Sequence, residues 1–214
     1  MKARLAVMLL VLGFVSSVRA QETTSPATLS LKRAGIGFSY IDMYTAPYVR
    51  ESIGLSGFVD LSLKDPVRVR LQSQVSHAEA TVHSGDYSFS AATFDAIVLT
   101  KVTKISALGM GLGGSWMRFQ RHSVVTMYGD ASPTSAYKET IDLDERLLRP
   151  TLIAVATSEW SLIGSANMEV SLSYRWTFLG KYFVNHSRYN VSSGPLNSMM
   201  SWGATVYVSF DLAK

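Results

Sequence analysis

Between Gly35 and Leu212 the dominant period of the chain is two. Ile53, Leu55, Gly57, Val59, Leu61 and Leu63 alternate with Ser52, Gly54, Ser56, Phe58, Asp60 and Ser62. After the turn Lys64-Asp65-Pro66 the pattern resumes, with Val67, Val69, Leu71 and Val75 alternating with Arg68, Arg70, Gln72, Gln74 and Ser76. Successive side chains of a strand point to opposite faces, so each run specifies a strand with one apolar and one polar face. The turn residues between them make a hairpin. Two later runs are as clear, over 167–178 and 200–212.

Weaker runs cover Gly35–Thr45, Thr93–Thr103, Ile105–Arg118 and Thr151–Trp160. In the fourth and sixth strands the facing is ambiguous, and a bulge is expected there. The total is eight strands of about 9–11 residues, the length that crosses a bilayer at a tilt. The connections after strands two, four and six are short, and those after three, five and seven are long. Short turns at one rim and long loops at the other are the layout of a barrel spanning an outer membrane, with both termini in the periplasm.

A soluble barrel alternates too, so three further features decide which face is wet. The polar faces are mostly Ser, Gly and Thr, which suit a narrow lumen better than a solvated surface. Aromatics (Tyr40, Tyr44, Trp116, Trp176, Phe178 and Trp202) gather near the long-loop rim, as in an interfacial girdle. Charges concentrate in turns and loops. After the N-terminal segment no long uncharged apolar run occurs, so no transmembrane helix is expected.

The N-terminus has the form of a secretory signal: Lys2 and Arg4, an apolar run Leu5–Val15, and Val18-Arg19-Ala20 at a cleavage site after Ala20. Residues 1–20 are thus read as the signal, 21–34 as a periplasmic segment and 35–214 as the barrel. Lys2, Arg4 and Arg19 leave with the signal and no acidic residue does, which takes the net charge from +4 to +1. The basic pI is therefore weak support for nucleic-acid binding, and no basic stripe interleaved with aromatics adds to it. The chain has no cysteine, which excludes disulfides, thiolate metal sites, a cysteine nucleophile and a lipoprotein anchor.

On this pattern and loop layout, from Gly35 to Leu212, the chain resembles the small outer-membrane β-barrel family, the OmpA-like and OmpX-like eight-stranded barrels. The resemblance implies an all-β fold, an eight-stranded antiparallel up-and-down transmembrane β-barrel in the bacterial outer membrane. Members usually end in an aromatic residue; here Phe210 and Leu212 are in phase on the last strand and the chain ends Ala213-Lys214.

Placing Leu63 opposite Val67 sets Asp60 opposite Arg70 on the polar face, with Arg68 on the same face and Glu169 and Arg175 on the corresponding face of strand seven. An eight-stranded interior is only just filled by side chains, so these charges read as a salt-bridged plug. Gly109, Gly111 and Gly113 alternate on strand five, which makes room for the opposing arginines or permits sharp curvature. All four histidines (His77, His83, His122, His186) fall on the long-loop side without a metal-ligand spacing, and no metal or cofactor is expected. Asp142, Asp144 and Glu145 form a short acidic run without a calcium-loop pattern. Lipid A deacylases place His and Ser two apart on one face. In Asn185-His186-Ser187 they are neighbours on opposite faces, which argues against an enzyme.

Val124, Val125, Met127 and Tyr128, then Tyr137, Ile141 and Leu143, extend the fifth and sixth strands into a hairpin beyond the membrane, its tip near Gly129–Ser135. The expected function is a non-enzymatic barrel serving surface structure, adhesion or envelope integrity. A narrow channel for ions or small solutes and a lipid A-modifying enzyme are the alternatives. The partners expected are outer-membrane lipid and lipopolysaccharide, and a surface protein or host ligand at the loops, with no nucleic acid.

Overall fold

A computed structural model describes residues 30–43, 51–64, 66–82, 85–128, 136–180 and 198–212. The proposed signal, Tyr44, His83, the hairpin tip and Asn185-His186-Ser187 lie outside the described residues. Eight strands follow in chain order: β1 (Ser30–Met43), β2 (Glu51–Lys64), β3 (Val67–Val82), β4 (Gly85–Lys101), β5 (Ser106–Tyr128), β6 (Ala136–Ser161), β7 (Ala166–Phe178) and β8 (Ser198–Asp211). Each pairs antiparallel with the next, and β8 closes onto β1. The chain is an eight-stranded antiparallel up-and-down β-barrel.

Several strands run past the ends that alternation sets for them. β1 begins at Ser30, five residues before Gly35, so residues 30–34 of the segment read as periplasmic belong to the strand. A register shift between Leu31 and Arg33 leaves Lys32 as an extra residue, and that bulge breaks the period. A second shift lies between Ser62 and Lys64. Lys64, rather than Leu63, therefore faces Val67, yet Asp60 still faces Arg70.

The expected bulges in the fourth and sixth strands are not there: the registers of β4 and β6 with both neighbours are continuous. Facing is hard to read there because the inner wall is itself apolar. Ile97, Leu99, Ile153 and Val155 form a buried cluster inside the barrel, while Phe94 is 72% exposed on the outside.

The molecule is inside out for water. Large apolar side chains stand exposed around the wall, among them Ile36, Phe38, Ile53 and Leu112. Asp60, Arg70 and Glu169 have no exposure at all. Such an exterior is stable only against hydrocarbon, and a closed barrel leaves no strand edge unpaired within it. No helix among the described residues is long and apolar enough to cross a membrane. The chain spans the membrane by its strands, as a barrel of the outer-membrane kind.

Above this belt the pattern inverts. On β3, Ala78 and Ala80 turn inward while His77 and Glu79 are exposed; on β5, Met117 and Phe119 are buried beside outward Arg118 and His122. Here the outer wall meets water and the inner wall meets itself.

Candidate functional site

Side chains on the inner wall form successive layers. Toward the short-turn rim, Arg70 on β3 faces Asp60 on β2. Its Nε donates to Asp60 Oδ1 at 2.7 Å, and its Nη1 and Nη2 donate to Glu169 of β7 at 2.5 and 2.9 Å. The guanidinium lies 3.7 Å from the centre of the Phe58 ring, a cation–π contact in a desolvated setting. Arg33 of β1 donates to Asp60 at 2.9 Å and Glu169 at 2.8 Å, and also pairs with Glu159 of β6. Arg68 stands 3.4 Å from Asp60 and 3.8 Å from Glu159. Three arginines thus meet three carboxylates from five strands, each charge within reach of opposite ones.

Next to this layer, the Tyr207 ring meets Phe58 edge-on at 4.9 Å, and its hydroxyl is 2.7 Å from Ser56 Oγ. Toward the long-loop rim, Arg175 of β7 crosses to β4, where Nη2 donates to Asp95 at 2.5 Å, and Nη1 donates to Gln74 of β3 at 3.1 Å. An apolar cluster that includes Ile41, Met43, Phe89, Met117, Phe119 and Leu179 lies beyond it toward the outer end, with Leu143 and Leu147 of β6 packed against it.

The five charged residues picked out in the lumen therefore divide. Asp60, Arg68, Arg70 and Glu169 share one network, while Arg175 belongs to a separate pair. Sequence reasoning missed Arg33, behind the Lys32 bulge, and Asp95, which shares its face with Ile97 and Leu99. It also missed Glu159, although a signal existed. The short β6–β7 turn sets Glu159 directly opposite Glu169, and two facing carboxylates call for a cation between them. The three alternating glycines make room for something other than arginines. Gly109, Gly111 and Gly113 face Leu99, Ile97 and Asp95, and a Cβ at Gly113 would collide with the Asp95 carboxylate and the Phe94 carbonyl.

On the outer wall, Tyr40, Trp116, Trp176, Phe178 and Trp202 stand at the long-loop end of the apolar belt. The Tyr40 and Trp202 rings are 5.8 Å apart, and Trp202 Nε1 donates to Asp42 at 3.1 Å.

One rung above Trp116 and Leu148, the ladder sets His77, Ser90, Arg118 and Arg146 side by side. The next rungs carry Glu79, Ser88, Gln120 and Asp144, then Thr81, Asp86, His122 and Asp142. Arg118 donates twice to Asp144, at 2.8 and 2.7 Å. These hydrogen bonds, with the charges of Arg118 and Arg146, hold the Asp144 carboxyl down to about 2 and push the Arg118 guanidinium up. His122 Nδ1 lies 2.5 Å from Asp142, and His77 lies between Ser90 at 2.9 Å and Glu79 at 3.0 Å. An open hollow of about 640 Å³ is lined by Glu79, Asp86, Arg121, His122, Asp142 and Asp144. Among the described residues no group of three or more His, Cys, Asp or Glu is arranged to hold a metal ion.

No family model and no curated protein matches the chain. Among solved structures it is similar to Ail, the attachment invasion locus protein of Yersinia pestis, in complex with the heparin analogue sucrose octasulfate: 11% identity and TM-score 0.49 over 84% of this chain and 98% of that one. It is also similar to Neisserial surface protein A, at 11% identity and TM-score 0.43 over 85% and 96% of the two chains. The N-terminal β-barrel domain of Pseudomonas aeruginosa OprF gives 12% identity and TM-score 0.39 over 85% and 100%. At such identities the likeness is one of fold alone.

Proposed function

We propose that this chain is a non-enzymatic outer-membrane barrel with a plugged lumen, and that its outer rim and loops serve surface structure, adhesion or envelope integrity. The observation that carries the reading is Arg70. It is fully buried, bonded to Asp60 and Glu169 across the lumen and covered by Phe58. A permeating ion would have to part a balanced set of desolvated charges, each of which loses its partners when the others move. The apolar cluster at the outer end adds a second barrier.

With the interior closed, recognition falls to the exterior. Arg118 and Arg146 face each other one rung above the apolar belt, at the height of lipid headgroups, and both favour the phosphates of lipopolysaccharide. The upper β5–β6 hairpin, paired rung by rung to Tyr128 and Ala136, carries a recognition surface clear of the membrane.

The test is a comparison of cells carrying the full chain with cells carrying a variant in which residues 123–141 are replaced by a tight turn. Both barrels should fold and show heat-modifiable gel mobility, and only the full chain should support attachment to surfaces or resistance to detergent. Equal behaviour of the two in both assays would remove the hairpin from the reading.

A further inference from the structure

Among the described residues, three polar atoms inside the barrel have no protein partner, and their residues line the same space: Thr93 Oγ1 on β4, Ser115 Oγ on β5 and Arg175 Nε on β7. Their residues are 5%, 2% and 6% exposed. Thr93 and Ser115 face each other across the β4–β5 ladder. Arg175 reaches them from β7, because its Nη2 is bonded to Asp95, two residues along β4 from Thr93. The internal cavity they line has a volume of about 20 Å³.

We infer that this cavity is a binding site for one ordered water molecule, held by Thr93, Ser115 and Arg175. Leaving a buried polar group without a partner is costly, and here three such groups meet at one space. A cavity needs on the order of 10–15 Å³ to admit a water, which typically makes about three hydrogen bonds. The size and the three unpartnered polar atoms both match a single molecule. The water accepts from Arg175 Nε and donates to the two hydroxyl oxygens, adding β5 to the link that Arg175 and Asp95 already make between β7 and β4.

The chemistry selects water over a small anion. Asp95 lies 2.5 Å from Arg175 Nη2 and offsets its charge, so the cavity has no surplus positive charge for a halide. Met117 and Met199 line it on the long-loop side, and Tyr207, Phe58 and the Arg70 network lie toward the other rim. The proposed water is a structural part of the barrel between these groups and no member of a file leading through it.

A crystal structure of the detergent-solubilised barrel, at a resolution that places waters, tests this against a Thr93→Val, Ser115→Ala double variant. The wild type should show one density peak within about 2.7–3.2 Å of all three atoms, and the double variant should lack it. Three results in the wild type overturn the inference. One is an empty cavity. Another is a peak that gains anomalous signal in bromide-soaked crystals, which would make it an anion site. The third is a chain of peaks running to either mouth. A double variant that keeps the peak also overturns it. If the double variant does not fold, the wild-type density and the bromide soak decide alone. Bilayer conductance tests the plugged lumen separately, so the two readings fail independently.

Discussion

At the scale of single residues, the lumen makes Arg70 far more sensitive to substitution than its neighbours on the wall. Arg70→Met would leave Asp60 and Glu169 buried on opposite sides of an uncharged side chain. Removing one partner of a buried network costs about 3–5 kcal/mol, so the urea midpoint of the refolded barrel should fall. Adding Asp60→Asn to that variant should recover part of the loss, because Arg33 and Arg68 then meet two carboxylates, Glu159 and Glu169. Glycine gives a second contrast. Gly113→Val drives a side chain into Asp95, with an expected cost of about 1–3 kcal/mol from overpacking. At Gly57, on the outer wall, the nearest atom to an added Cβ is 3.7 Å away, and Gly57→Val should leave the midpoint unchanged. At the outer rim, Asp144 titrates at about 2, below the ordinary 3.8. A depressed carboxyl favours the folded hairpin above its unfolded value. That contribution is therefore present above pH 4 or so, and it fades as pH falls through about 2. An NMR titration of Asp144 should find that midpoint, and Arg118→Gln should move it back up.

At the scale of elements, the described strands divide into a membrane part and an aqueous part, and the division explains what the sequence reveals. Within the belt part of β2, β3 up to Ser76, β7 and β8 the outer residues are mostly apolar and the inner ones mostly polar, so these strands are plain in the alternation. Above it the phase reverses: Ala78, Phe89, Met117 and Phe119 face inward while His77, Ser88, Arg118 and Gln120 face out. A reader holding one phase ends β3 at Ser76 and starts β4 at Thr93, although β3 runs to Val82 and β4 starts at Gly85. β5 and β6 were legible beyond the belt only because their apolar residues signalled a hairpin. The Asp60–Arg70 pairing was legible because a short turn transmits register. Arg33 was not, because one extra residue at Lys32 undoes the count. The hairpin itself yields a prediction. Beyond His122, the described part of β5 pairs only with β6, so shortening it should leave the resistance of the membrane part to denaturant unchanged, read by heat-modifiable mobility across a urea series.

At the scale of the whole molecule, the two sets of buried ion pairs each balance. Arg33, Arg68 and Arg70 meet Asp60, Glu159 and Glu169, and Arg175 meets Asp95. A planar bilayer containing the purified barrel should therefore show no stepwise current, and persistent single-channel events would refute the plugged lumen.

The position of Arg33 has a further consequence, for assembly. It sits on the first strand and its carboxylates lie on the second, sixth and seventh, so its partners are gathered only as the last strand arrives. At the seam it stands opposite Asp211, and a one-residue slip of β1 would carry its guanidinium to the hydrocarbon side. The network thus ties ring closure to register: a ring closed one residue out would hold an unmatched cation in lipid.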